Sequence, residues 1–95
     1  MTDWRMMQPF RERLDKIDEE IIRLFGERYN VRREVYAFKK ANDLPVIDQS
    51  RVDEVIARAV DKAKTYDVPA DFAEALYQLV IDYSHKFELK NEETK

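Results

Sequence analysis

The chain has 95 residues, a formal net charge of -3, 39% charged and 44% hydrophobic residues, one Gly, three Pro, a single His and no Cys. That length holds one small domain, and a monomer of this size buries only about 60-65% of the surface its unfolded chain exposes, so self-association is expected. The missing cysteines exclude disulfides and thiolate metal sites, and the acidic balance makes nucleic acid a poor partner; the cytoplasm is the expected location. No apolar run approaches the ~20 residues that span a bilayer, and the N-terminus lacks the layout of a secretory signal, so no membrane association is expected.

So few helix breakers suit long helices, and no strand is expected. The first helix is predicted over residues 5–41, on two apolar heptad columns: Met7, Leu14, Ile21 and Val35 in one, Phe10, Ile17, Leu24, Val31 and Phe38 in the other. At 1.5 Å per residue it would run ~55 Å, longer than a compact domain of this size, so it calls for a partner chain to cover it. Arg28 alone interrupts the stripe. A cation at a core position is costly to desolvate by several kcal/mol unless an anion meets it, and that marks the position as a site.

Asn42, Asp43 and Pro45 end this helix, because proline biases Leu44 away from helical angles and Asn and Asp favour turns. Asp48 reads as the N-cap of a second helix over residues 49–66, with Val52, Val55, Ile56, Ala59 and Ala63 on one stripe. Pro69 suits the first turn of a third helix over residues 69–90, whose inward side chains are predicted to be Phe72, Leu76, Leu79, Val80, Tyr83 and Phe87. The polar tail from Asn91 to Lys95 is expected to fray. The fold class is therefore all-α, a three-helix protomer with a very long first helix, in a single domain over residues 1–95.

The chemistry-bearing groups sort by helical face. Arg28, Arg32 and Lys39 form a cationic strip along the side of the first helix, with Arg11 further back in the same heptad column as Arg32 and Lys39. On the third helix Tyr77, Ile81, Ser84 and Glu88 line a common face, and Arg51 opens the second helix just after the loop. If the helices pack together, these groups converge on one polar pocket inside a bundle. Several guanidiniums and an ammonium, partly desolvated, suit a small ligand with more than one carboxylate, which Arg grips bidentately. With no Cys, one His and no spaced metal ligands, thiol nucleophiles, histidine triads and transition-metal sites have no material to be built from. Catalysis would then work by orienting a reactive conformer and meeting charge as it develops.

The run Arg11-Glu12-Arg13-Leu14-Asp15-Lys16-Ile17-Asp18, then Glu27-Arg28, Val35 and Lys39-Lys40, then Leu44-Pro45-Val46-Ile47-Asp48 with Arg51, then Leu76-Tyr77-Gln78-Leu79-Val80-Ile81 before Ser84, resembles the all-helical chorismate mutases over roughly residues 8–89. The resemblance implies an intertwined all-helical homodimer whose long first helices pair. It also implies a pericyclic Claisen rearrangement of chorismate to prephenate, with no cofactor and no covalent intermediate. By resemblance, Arg28 and Arg11, the latter from the partner subunit, are clamps for the two substrate carboxylates, helped by Arg51 and Ser84. Lys39 is similar to the ammonium that meets negative charge on the breaking ether oxygen, and Asp48 to a residue near the substrate hydroxyl. Arg32, Val35, Val52 and Ile81 complete the lining that the resemblance implies.

Three positions depart from the family pattern. Val52 stands where typical mutases have a Glu that contacts the ring hydroxyl, and Arg32 where a small residue usually faces the site. Glu88 stands where many members have a Gln that donates to the ether oxygen; a carboxylate only accepts, so Glu88 must carry a proton to act in that way, and activity rising toward acid pH is expected. Val52 and Glu88 together are similar to what a 4-amino-4-deoxychorismate mutase would need, and loss of the hydroxyl-reading Glu is similar to isochorismate-pyruvate lyases. The residues leave that choice open. The alternative from another class is a helical interaction module, in which the long helix zips to a partner and its cations are a solvated face. Arg33 is read as solvated and His85 is given no role, while Trp4 either caps a dimer end or packs on a neighbouring helix.

Overall fold

A computed structural model describes residues 2–93 of the chain, and within them the only regular elements are helices. A 3-10 turn, Trp4–Met7, leads into α1, Gln8–Ala41; α2 spans Gln49–Thr65 and α3 spans Ala70–Glu93. The helices lie where the periodicity puts them, with one-residue shifts at Thr65 and Ala70 and two larger differences, at the start of α1 and the end of α3. The first turn is 3-10 rather than α because Pro9 has no N–H and its ring would collide with the carbonyl of Arg5. That carbonyl is taken instead by the N–H of Gln8. α3 runs on to Glu93, past the expected end at residue 90. Of the tail expected to fray, residues 94 and 95 lie outside the described residues.

The ends of α1 and α2 are built alike. Asp43 and Asp67 follow the two helices in the left-handed region, at φ 55° and 56°, a conformation that short polar side chains tolerate better than most. Beyond them Leu44 N–H donates to Lys39 O at 2.8 Å and Val68 N–H to Ala63 O at 2.8 Å, satisfying carbonyls that the helices leave open. At its start α2 is capped as expected, with the Asp48 side chain accepting from Arg51 N–H.

The chain forms two units, Met1–Glu34 and Val35–Lys95, with the division falling inside α1. Among the described residues of the first unit no side chain is buried, and Phe10, Leu14, Ile17, Ile21, Leu24 and Val31 of the heptad stripe are 45% to 57% exposed. Salt links of Arg23 to Glu20 at 2.8 Å and Glu27 at 2.6 Å decorate the polar side of the helix, and being exposed they contribute little.

The second unit has a core, made where α2 packs on α3. The α2 stripe is the one read from the sequence: Val52 and Ala63 are buried and Val55, Ile56 and Ala59 half-buried. The α3 expectation needs correction. Leu76, Val80 and Phe87 are half-buried, but Phe72, Leu79 and Tyr83 are each more than half exposed. The buried residues of α3 are Ala73, Ile81, Ser84 and Glu88. α3 carries two apolar stripes about a quarter turn or more apart, and α2 packs against the one with the smaller side chains, which lets two helix backbones come close.

Candidate functional site

The predicted site residues fall in both units. Arg11, Arg28 and Arg32 belong to the first, where Arg28 and Arg32 are half-buried and Arg11 is exposed. Arg11 has its guanidinium carbon 6.0 Å from the centroid of the Trp4 ring, within reach of a cation–π contact.

In the second unit Lys39, on the last turn of α1, is half-buried and donates from Nζ to the carbonyl oxygen of Val46 at 2.8 Å. The turn that ends α1 also brings Lys39 near Asp48 across the connecting loop, close enough for the ammonium to help lower the Asp48 carboxyl below its ordinary range. The larger causes are the Ser50 hydroxyl, which donates to Asp48 Oδ1 at 2.9 Å, and the Arg51 N–H, which donates to the same oxygen at 3.3 Å. A depressed carboxyl contributes its charged form fully above the ordinary value and loses it only as pH falls through the lower one, so the cap of α2 stays ionised at neutral pH. Asp48 therefore serves the helix first, and any ligand hydroxyl would share it with that duty.

Arg51 is exposed and engaged on its own helix, donating from Nη1 to Glu54 Oε1 at 2.9 Å; Glu54 also accepts from Arg58 at 3.1 Å. A ligand carboxylate would compete with Glu54 for this guanidinium, an exchange of one exposed ion pair for another. Val35 is half-buried, on the part of α1 that belongs to the second unit.

Val52, Ile81, Ser84 and Glu88 all lie on faces buried where α2 and α3 pack. Ser84 is 3% exposed and its hydroxyl donates to Val80 O at 2.9 Å, one turn back along α3. Glu88 is 1% exposed, the largest fully buried side chain among the described residues. A carboxyl in such a place needs a specific polar role, because burying it against apolar surface alone is strongly unfavourable. Ser84 and Glu88 thus share the buried faces of α2 and α3 with apolar Val52 and Ile81.

Two features lay outside the sequence reading. The Val46 carbonyl, which fixes the Lys39 ammonium, had no signal except Pro45, which stiffens a short loop following two lysines. The Trp4 contact to Arg11 had one, the seven-residue spacing that puts both on one side of two helical turns. Among the described residues no three acidic or imidazole side chains are grouped to hold a metal ion, and no helix is long and apolar enough to cross a membrane.

The chain is 27% identical over 75 residues to a bifunctional chorismate mutase/prephenate dehydratase of Buchnera aphidicola, a match covering 79% of this chain and 20% of that protein. It is 29% identical over 84 residues to the bifunctional chorismate mutase/prephenate dehydratase of Escherichia coli, covering 88% of this chain and 22% of that protein. A chorismate mutase of Methanocaldococcus jannaschii is 24% identical over 74 residues, covering 78% of this chain and 75% of that protein. The chain thus spans about a fifth of the length of the bifunctional relatives it matches. Residues 10–89 match the sequence profile described as chorismate mutase type II, and with that match over most of its length the chain belongs to this family of helical proteins.

Proposed function

We propose that this chain is a chorismate mutase, an isomerase that converts chorismate to prephenate, and that residues 1–95 act as one domain in an intertwined homodimer. The reaction breaks the bond between the ring and the enol ether oxygen as a carbon–carbon bond forms in the same molecule, with no proton moved and no co-reactant. What it needs from a protein is a folded-up substrate conformer and positive charge beside the departing oxygen.

Arg28, with Arg11 from the partner subunit, grips the two carboxylates; Arg51 and Ser84 assist. Lys39 meets the charge on the ether oxygen, and its bond to the Val46 carbonyl supports that role by fixing where the ammonium sits. A protonated Glu88 donates to the same oxygen, and Asp48 lies near the ring hydroxyl. Arg32, Val35, Val52 and Ile81 form the walls.

The observation that carries the reading is the family match over residues 10–89, within which Arg11, Arg28, Lys39 and Arg51 all fall. The exposed heptad stripe of the first unit supports the dimer, because a row of six large apolar side chains left in water is a surface that a second long helix would cover. Chorismate, isochorismate and 4-amino-4-deoxychorismate are to be offered separately to the purified protein and the products identified by NMR. Prephenate from chorismate at enzymic efficiency is expected. Salicylate and pyruvate from isochorismate, or the amino analogue of prephenate alone, would move the activity to a sister reaction, and no product from any of them would return the chain to the helical interaction module.

A further inference from the structure

The N-terminal turn is more ordered than an exposed leader needs to be. Asp3 caps it, accepting from Arg5 N–H at 3.0 Å, while Arg5 grips the same carboxylate with two further bonds, Nε to Oδ1 at 3.0 Å and Nη2 to Oδ2 at 3.1 Å. The Met6 N–H donates to Asp3 O at 3.3 Å and closes the turn. Arg5 is thereby committed to Asp3 and holds its carboxyl below the ordinary range. Between Asp3 and Arg5, Trp4 is 62% exposed yet has a guanidinium over its ring, that of Arg11, two helical turns further on.

We propose that Trp4 is a positioning residue for Arg11, holding the guanidinium over its ring and so ordering it before a carboxylate arrives. The inference rests on the function proposed above, in which Arg11 is a carboxylate clamp. A free arginine side chain loses much rotamer freedom when it grips a ligand, and a guanidinium already resting on a ring has lost part of it beforehand. At 6.0 Å the ring attracts the cation without occupying its N–H donors, which remain available for bidentate contact. The capped turn matters because it fixes the ring. Without Asp3 and its bonds to Arg5, Trp4 would swing on a frayed end and restrain nothing. The neighbouring Met6, Met7 and Phe10 are also exposed, and an apolar contact of Trp4 with a second copy is the competing use of the same ring.

The test combines kinetics with emission from Trp4, the only tryptophan in the chain. For Trp4→Ala the KM for chorismate is expected to rise about two- to fivefold, the size of an exposed cation–π contact, with kcat within about twofold of wild type. Trp4→Phe and Trp4→Tyr keep a ring face and are expected to restore most of the KM. Without ligand, the tryptophan emission of Arg11→Ala is expected to be shifted from that of the wild type, and that of Arg13→Ala to be unchanged. Kinetics of Trp4→Ala equal to wild type, a KM that neither Phe nor Tyr restores, or emission indifferent to Arg11→Ala would overturn the proposal. A drop to monomer mass in Trp4→Ala would overturn it in favour of the contact with a second copy. Wild-type protein inactive on chorismate would sink the proposed function and this clamp with it, whereas an active wild type with an unaffected Trp4→Ala removes the Trp4 role alone.

Discussion

The two units of this chain treat apolar side chains in opposite ways. In the first, the large residues form a clean heptad stripe and stay in water, and the place where the stripe breaks holds the half-buried Arg28. In the second, the buried face between α2 and α3 is built from small or polar residues, Ala63, Ala73, Ser84 and Glu88 among them, while Phe72, Leu79 and Tyr83 point outward. One unit thus leaves large apolar side chains exposed, and the other buries a serine and a glutamate. The proposed function assigns a dimer to the exposed stripe and the rearrangement of a dicarboxylate to the polar residues, and both assignments are open to direct attack.

The largest expected effect comes from the break in the stripe. Arg28→Ala is expected to lower kcat/KM by two to four orders of magnitude, about 3-5 kcal/mol of transition-state binding for losing a clamp in a dry site, with helix content and oligomeric mass unchanged. Faster turnover or unchanged turnover with a more stable coiled coil would instead favour the interaction module, for which Arg28 is a flaw in the seam.

The next pair of variants compares the units directly. Leu24→Asp puts a charge into the exposed stripe and is expected to bring the protein to its monomer mass of 11.4 kDa in analytical ultracentrifugation. Ala73→Leu overfills the packing of α2 on α3 and is expected to lower stability by about 1-3 kcal/mol in urea titrations, with the dimer retained. If instead Leu24→Asp left the dimer intact, the stripe would not be the seam.

How much of this was legible in the residues follows from the same contrast. The extent of α1, the cap at Asp48 and the α2 stripe from Val52 to Ala63 were legible because each rests on local geometry: a repeat, a short side chain bonding its own backbone, and one unambiguous apolar face. α3 was misread because it has two apolar stripes, and nothing local says which meets the chain's own α2. The inward set Phe72, Leu79 and Tyr83 followed the larger residues, whereas the backbone packed on the smaller. The face with Ser84 and Glu88 was singled out for chemistry rather than for packing, and it is also the buried one. The hold of Val46 on Lys39 was not legible, because a carbonyl has no identity in the sequence until the loop is folded.

Two smaller effects refine the picture. Glu88→Gln keeps the size of the side chain and adds an amide N–H that can donate to the ether oxygen, so kcat at neutral pH is expected to equal or exceed that of the wild type. A kcat about tenfold or more below wild type, with the fold unchanged, would remove Glu88 as a donor. Gly26 lies in the middle of α1 with nothing within 4 Å of the position its Cβ would take. Gly26→Ala is therefore expected to raise thermal stability by about 0.5-1 kcal/mol through helix propensity, and a loss of dimer in the same variant would show that a second chain approaches α1 there.

The proposed clamp, with Arg11 and Arg28 supplied to one ligand by different subunits, can be tested by mixing. Arg11→Ala and Arg28→Ala proteins, each nearly inactive alone, are unfolded together in equal amounts and refolded so that subunits exchange. A mixed dimer then contains one site with both arginines and one with neither, and about a quarter of wild-type activity is expected to return, since half of the dimers are mixed. No recovery in a mixture shown to contain the mixed dimer would contradict a clamp shared between subunits.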